Sequence, residues 1–237
     1  MNKNDIIRCY NCGKVLEKKE DMTKEHIPAR NLFDGYDNKY KNNRITVPAC
    51  FKCNNDYSYT DEEFRNMLGV TSNVSNKDII TQKSVRSIIR NDHNFSRLIF
   101  DQLGNVSAVE FDEKPLIDFH KKNFKGLFYH QYGFPLPDNY ELIVNIDEDD
   151  KSDFTLGIID YLKSNFEWRV SGHKDIFTYC LQPFRLHLLH TQKSDLEPYE
   201  DENLFVAAMI YNQTHGALVY AIRRVYIEGI KQKRYYD

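Results

Sequence analysis

The sequence predicts an α+β fold in two parts, a small cysteine-containing module over residues 1–70 and an α+β accessory domain over residues 77–237. Three observations lead to this division. Two Cys-x-x-Cys pairs and little helical periodicity characterise the chain before Asn54. Helical and strand-like patterns follow beyond residue 77. The length of 237 residues accommodates a small module and a larger domain.

The cysteines indicate a metal site. Four of the five cysteines form two Cys-x-x-Cys pairs with 37 residues between them: Cys9, Cys12, Cys50 and Cys53. Paired thiols at this spacing in a reducing compartment usually hold a metal rather than form disulfides. Four thiolates with no open position are typical of structural Zn²⁺, with an iron–sulfur cluster as the alternative. We expect the fifth, Cys180, to be a buried small hydrophobe.

Residues that could carry out chemistry lie between and after these pairs. Glu25-His26-Ile27-Pro28 stands between the pairs, the third cysteine ends a Val-Pro-Ala-Cys segment, and Asn54 directly follows the last cysteine. Over residues 7–66 this order resembles the HNH (ββα-metal) endonuclease family, in the branch that carries a four-cysteine zinc. The resemblance implies a small treble-clef-like ββα module stabilised by that zinc.

The same resemblance implies metal-assisted hydrolysis of a phosphodiester bond. His26 would be the general base, since a histidine with an ordinary pKa near 6.5 is largely neutral at pH 7. Glu25 and Asn54 would hold a catalytic divalent metal, and their oxygen donors suit Mg²⁺ or Mn²⁺. Lys24 and Arg30 flank the motif and would contact phosphate oxygens.

Several alternatives stay open at this level. Asn55 is the neighbouring candidate for the role of Asn54, and Glu62 and Glu63 could approach the metal, although acids in a first helical turn usually complement the helix dipole. The family pattern usually has Asn and Lys where this chain has Ile45 and Tyr57. These departures favour a second hypothesis, a zinc-stabilised module that binds nucleic acid or a protein without catalysis.

Composition limits the partners. A formal net charge of -3 argues against a generally basic nucleic-acid binder, so nucleic acid would bind through local basic clusters. The resemblance to the HNH family implies DNA as the substrate before RNA and an effector in antiviral defence or a mobile element as the setting, with a homo-oligomer or a regulatory protein partner as options. A mean hydropathy of -0.64 and the lack of a long apolar run predict a cytoplasmic protein that does not enter a membrane.

Five further elements are predicted in the accessory domain. A helix should begin near Pro115 and end at Gly133, and a second helix should cover Asp153–Asn165. Residues 141–146 read as a strand. Residues 204–211 and 217–222 read as two strands of a hairpin joined through residues 212–216.

Overall fold

The computed structural model describes residues 6–71, 77–90, 95–146, 153–184 and 204–227, and it is a mixed α/β fold. The described strands are β1 (Met22–Ile27), β2 (Ile45–Cys50), β3 (Leu98–Phe100), β4 (Val106–Val109), β5 (Tyr140–Asn145), β6 (Arg169–Val170), β7 (Phe177–Phe184), β8 (Leu204–Tyr211) and β9 (His215–Arg223). The described α-helices are α1 (Asn38–Lys41), α2 (Phe51–Asp56), α3 (Ser58–Thr71), α4 (Lys77–Arg90), α5 (Glu113–Tyr132) and α6 (Asp153–Asn165). Among these helices none is long and apolar enough to cross a lipid bilayer.

The first part of the chain forms an antiparallel pair of strands followed by helices. In the register of β1 and β2, Glu25 lies opposite Val47 and His26 lies opposite Thr46. Successive side chains of a strand point to opposite faces, so Glu25 and His26 face opposite sides of this hairpin. Burial agrees, since Glu25 is 5% exposed and His26 is half-buried. Helix α2 begins directly after β2.

Helix α5 begins near Pro115 and ends at Gly133, which confirms the prediction from the sequence. Pro115 lies in its first turn, where the missing proline N–H costs no hydrogen bond. Gly133 ends the helix in the left-handed conformation, with its N–H donating to the Tyr129 carbonyl at 2.8 Å. Helix α5 lies against β1, where a Cβ on Gly126 would come within 2.3 Å of the Ile27 side chain. Glycine at this position therefore permits the close approach of the two elements.

The second part is built on a five-stranded antiparallel sheet in the order β5-β9-β8-β7-β6. The predicted hairpin is confirmed as β8 and β9, and Asn212 and Gln213 in its turn have the positive φ angles that tight hairpin turns require. One face of the sheet packs against α6 through Leu162, and this face includes Cys180, which is buried as expected. The other face belongs to a larger core.

That larger core crosses the predicted domain boundary. One buried cluster contains side chains of the β1–β2 hairpin, of α3 and α5, and of the sheet strands β7, β8 and β9. The division into two domains stays a prediction, but the two parts share hydrophobic contacts. We therefore expect changes in the cysteine module to affect the stability of the whole chain.

A histidine in this core predicts how stability depends on pH. His120 of α5 is fully buried beside Phe64, Tyr211 and His215, and neither ring nitrogen has a hydrogen-bond partner within the described residues. Burial lowers the pKa of His120 well below its ordinary value, with the nearby His215 adding to this effect. The unfolded chain therefore binds the proton first as the pH falls below about 6.5, and stability decreases over that range.

Replacing His120 with phenylalanine should remove this loss. Below pH 6.5, the free energy of unfolding should decrease more steeply in the wild type than in the variant, by up to about 1.4 kcal/mol per pH unit. Urea unfolding of both proteins at pH 7.5 and pH 5.5 measures the difference. Equal losses in the two proteins would mean that His120 is not the group responsible.

Candidate functional site

The four paired cysteines converge on one point. The sulfur atoms of Cys9, Cys12, Cys50 and Cys53 all lie within 4.8 Å of one another. The Sγ atoms of Cys12 and Cys50 are 3.9 Å apart, close to the separation of about 3.8 Å that follows from tetrahedral Zn–S bonds of about 2.3 Å. These four thiols fit a zinc ion. Among the described residues, no other group of three or more His, Cys, Asp or Glu side chains is close enough to hold a metal.

Local turns place each pair of cysteines. In the first pair, Gly13 adopts a positive φ and donates its N–H to the Cys9 carbonyl at 3.0 Å, which closes a tight turn. In the second pair, Cys50 ends β2 and caps α2, accepting a hydrogen bond from the Cys53 N–H at 3.4 Å. The pKa of the Cys50 thiol lies below its ordinary value. Burial alone would raise this pKa, but the hydrogen bond from the Cys53 N–H and contacts with the other cysteines lower it by more.

A second layer of polar groups supports the cysteine cluster. Asn11 donates through Nδ2 to the Cys53 sulfur at 3.4 Å. Lys125 of α5 donates to Asn11 Oδ1 at 2.9 Å, which brings a positive charge close to the four thiols. Four thiolates around Zn²⁺ carry a net charge of about -2. Lys125 would partly compensate that charge and connects the cysteine cluster to α5.

Glu25 takes part in a buried ion cluster that sequence reasoning missed. Nζ of Lys122, which is fully buried, lies 3.0 Å from the Glu25 carboxylate. The same Nζ is 2.6 and 2.7 Å from the two carboxylate oxygens of Asp61 in the first turn of α3, and 5.5 Å from the centre of the Tyr57 ring. Burial raises the pKa of both Glu25 and Asp61, and Lys122 opposes that rise. The three donor hydrogens of Lys122 therefore stabilise one buried carboxylate, Glu25, and one partly buried carboxylate, Asp61.

His26 faces the opposite side of the hairpin, among cations. Burial lowers the pKa of His26, and the charges of Arg44, Arg30, Lys122 and Lys24 lower it further. The imidazole is therefore neutral over a wider range of pH than an ordinary histidine and is ready to accept a proton. Lys24 and Arg30, the two residues that the sequence suggested for phosphate contacts, are exposed.

Arg44 is a member of this group that sequence reasoning missed. It precedes β2 by one residue and stands two residues before Thr46, the partner of His26, so the strand register puts it on the His26 face. Its Nε donates to the Lys41 carbonyl at 3.0 Å, and its guanidinium lies 5.3 Å from the Phe33 ring centre. Its Nη1 is buried with no acceptor within the described residues. A buried charged donor without an acceptor favours an anion at this place.

Asn54 lies in α2 and is half-buried. No hydrogen bond joins it to Glu25 or His26 in the described part of the chain. Asn55 is exposed. Glu63 is buried and accepts from Arg97 at 2.7 Å, while Glu62 accepts from Arg65 at 3.3 Å. Both glutamates are therefore engaged in structural ion pairs.

A turn from the second part of the chain braces the strand that carries His26. The hydroxyl of Ser171, fully buried, donates to the Ile27 carbonyl and accepts from the Ile45 N–H, the latter at 2.9 Å. The adjacent Gly172 donates its N–H to the Asn43 carbonyl at 3.3 Å, and a Cβ on Gly172 would come within 2.5 Å of the Phe33 ring. Ser171 thus fixes the end of β1, one residue after His26, to the start of β2.

Replacing Ser171 with alanine should loosen this brace. The Ile27 carbonyl and the Ile45 N–H would each lose a partner, at about 1–3 kcal/mol of unfolding free energy for each group that stays unsatisfied. Urea unfolding measures this loss, and Ser164→Ala, at an exposed serine of α6, is the matched control. A Ser171→Ala protein as stable as this control would contradict the brace.

No protein-family model matches this chain, and comparison with curated proteins and with solved structures found no match. The fold and the cysteine cluster therefore rest on the structure itself, and function must be argued from the chemistry of the site.

Proposed function

We propose that the protein is a metal-dependent endonuclease of the HNH type that hydrolyses phosphodiester bonds in nucleic acid, DNA in preference to RNA. The observation that carries this proposal is the setting of His26. It is a half-buried imidazole, kept neutral by burial, on a hairpin pinned by four cysteines and surrounded by cationic side chains. A neutral base among positive charges suits attack on a phosphate diester.

The residues around His26 would have two roles in hydrolysis, binding of the phosphate and removal of a proton from water. Arg44 and Arg30 would bind the non-bridging oxygens of the phosphate, and the unpartnered Nη1 of Arg44 would gain an acceptor. An imidazole nitrogen of His26 would take the proton from the attacking water as its oxygen bonds to phosphorus. The bond from phosphorus to the leaving sugar oxygen then breaks, and that oxygen collects a proton from solvent.

The proposal assigns a second metal to Glu25 and Asn54. When bound, Mg²⁺ or Mn²⁺ would supply positive charge to the phosphate and to the leaving oxygen. Glu25 and His26 face opposite sides of the hairpin, and this separation favours the second candidate given below. Glu25 offers a carboxylate but shares it with Lys122. Metal binding by this pair therefore depends on how strongly Lys122 holds Glu25.

Metal-dependent cleavage is the direct test of this function. Purified protein should be incubated with supercoiled plasmid, single-stranded DNA and transfer RNA, each with Mg²⁺, with Mn²⁺ and without added divalent metal, while bound zinc is measured. We expect plasmid nicking or linearisation that requires the added metal, although zinc is bound in every sample. Cleavage of transfer RNA alone would move the substrate to RNA, and cleavage that is unchanged without added metal would contradict the metal-dependent reaction.

The Lys122 contact favours a second candidate, a zinc-stabilised module that binds nucleic acid or a protein without catalysis. Lys122 provides the positive charge that Glu25 would otherwise receive from a metal, and it holds Asp61 in the same way. A carboxylate already compensated by an internal ammonium gains less from a divalent ion. Binding of nucleic acid with no cleavage of any substrate would support this candidate.

The variant Lys122→Met separates the two candidates. The buried Glu25 and the partly buried Asp61 would lose their counter-charge, and we expect the unfolding free energy to fall by about 3–5 kcal/mol. If Glu25 is a metal ligand, Mn²⁺ should raise the melting temperature of Lys122→Met and should not do so when Glu25→Gln is added. The absence of any Mn²⁺ effect on Lys122→Met would favour the non-catalytic module.

A further inference from the structure

A basic cleft lies outside the hairpin, between α3 and α4. It measures about 470 Å³ and is lined by Tyr59, Glu62, Glu63, Arg65, Lys83, Arg86, Ser87 and Arg90. Helix α4 contributes Lys83, Arg86 and Arg90, while Ile80, Ser84 and Ile88 of the same helix are buried. The basic residues thus form the open side of an amphipathic helix that packs on α3.

The charges in this cleft do not cancel. Glu63 pairs with Arg97 at 2.7 Å, and Lys83 pairs with Asp34 at 3.0 Å. Glu62 accepts hydrogen bonds from Arg65 and Ser87. Arg86 and Arg90 are exposed and make no ion pair within the described residues. The guanidinium groups of Arg86 and Arg90, which lie one helical turn apart, are therefore available to attract an anion.

Arg65 provides an independent indication of a ligand. Its side chain is 13% exposed, and it donates through Nη2 to Asn66 Oδ1 at 2.8 Å and to Glu62 at 3.3 Å. Its Nε is buried and has no acceptor within the described residues. A buried guanidinium nitrogen of this kind is usually satisfied by a water or by a bound oxyanion.

We propose that this cleft binds backbone phosphates of nucleic acid, with Arg86 and Arg90 as the contacting residues and the less exposed Arg65 as a further lining residue. The choice of nucleic acid rests on the proposed function, whereas the preference for phosphate rests on the cleft. The cleft lies outside the β1–β2 hairpin and gives the substrate a second point of attachment. It contributes to affinity and orientation rather than to hydrolysis.

The test measures binding separately from cleavage. Fluorescence anisotropy of a labelled DNA duplex should be recorded over a series of KCl concentrations, in a His26→Ala background that binds without cutting. The cleft variant is Arg86→Gln/Arg90→Gln. The control variant is Lys163→Gln/Arg224→Gln, which removes the same charge from exposed residues of α6 and of the segment after β9. We expect the cleft variant to bind roughly tenfold more weakly, with a salt dependence that falls by about 2 in log–log slope, while the control stays unchanged.

Other outcomes would overturn the proposal. Equal weakening in both variants would mean a nonspecific charge effect, and normal duplex binding by the cleft variant would mean that the cleft is not used. The melting temperature of each protein should also be measured with and without inorganic phosphate. If the cleft variant binds the duplex normally but loses the stabilisation by phosphate that the wild type shows, the cleft binds small phosphate compounds and not nucleic acid. If wild-type protein cuts no substrate but the cleft variant still loses duplex binding, hydrolysis fails as the function and the cleft stands.

Discussion

Replacing His26 with alanine is expected to reduce the rate of metal-dependent cleavage by a factor of about 10²–10⁴, the range that a general base usually contributes. The imidazole is the group we assign to remove the proton from water, and burial together with nearby cations keeps it neutral. Cleavage under single-turnover conditions measures the loss. His26 makes no side-chain hydrogen bond within the described residues, so the fold and the zinc content should be preserved.

His130→Ala is the matched control for this prediction. His130 lies near the end of α5 at the protein surface. Partial burial of its ring, together with the charge of Arg169, lowers its pKa as well. It lies outside the hairpin, so its loss should leave cleavage unchanged. Equal activity of His26→Ala and His130→Ala would show that the reaction takes place elsewhere or with another base.

Replacing Cys50 with serine should remove the zinc and destabilise the whole chain. Binding of a structural Zn²⁺ contributes on the order of 10–16 kcal/mol in isolated zinc modules at pH 7. Cys50 also caps α2, and its neighbours Cys9 and Cys53 belong to the core that reaches the five-stranded sheet. We expect one zinc per chain in the wild type, none in the variant, and a melting temperature lower by about 10 °C or more. Elemental analysis and calorimetry measure the two quantities.

Cys180→Ala separates the loss of metal from the general loss of a thiol. Cys180 is buried in the sheet beneath α6 and takes no part in the cysteine cluster. The variant should keep its zinc and should lose only the stability that a buried thiol contributes. Retention of zinc by Cys50→Ser, or loss of zinc from Cys180→Ala, would contradict the assignment of the four ligands.

Short patterns in the sequence were sufficient to predict several of the helices and strands. Gly133 predicted the end of α5 because a left-handed residue terminates helices, and the turn at Asn212 predicted the hairpin of β8 and β9. The cysteine spacing predicted the four-cysteine cluster that the structure confirms. Its metal, and the roles of His26, Glu25 and Asn54, stay predictions.

The sequence did not predict contacts between residues that are far apart in the chain. Lys122 lies 61 residues from Asp61, and Ser171 lies 126 residues from Ile45, so no local pattern relates them. One signal for Lys122 was present, since it stands three residues after Phe119 on the buried side of α5. A lysine at such a position requires buried carboxylates, and Glu25 and Asp61 provide them. Ser171 left no comparable signal.

Cleavage in ¹⁸O-labelled water tests the proposed hydrolysis most directly. If His26 activates water, each cleavage by the wild-type protein should leave one ¹⁸O atom in the terminal phosphate of the product, as measured by mass spectrometry. The variant His26→Ala should yield almost no labelled product. A terminal 2′,3′-cyclic phosphate without label would show that an RNA hydroxyl attacks instead of water. That result, or wild-type cleavage no greater than that of His26→Ala on every substrate, would contradict hydrolysis by His26.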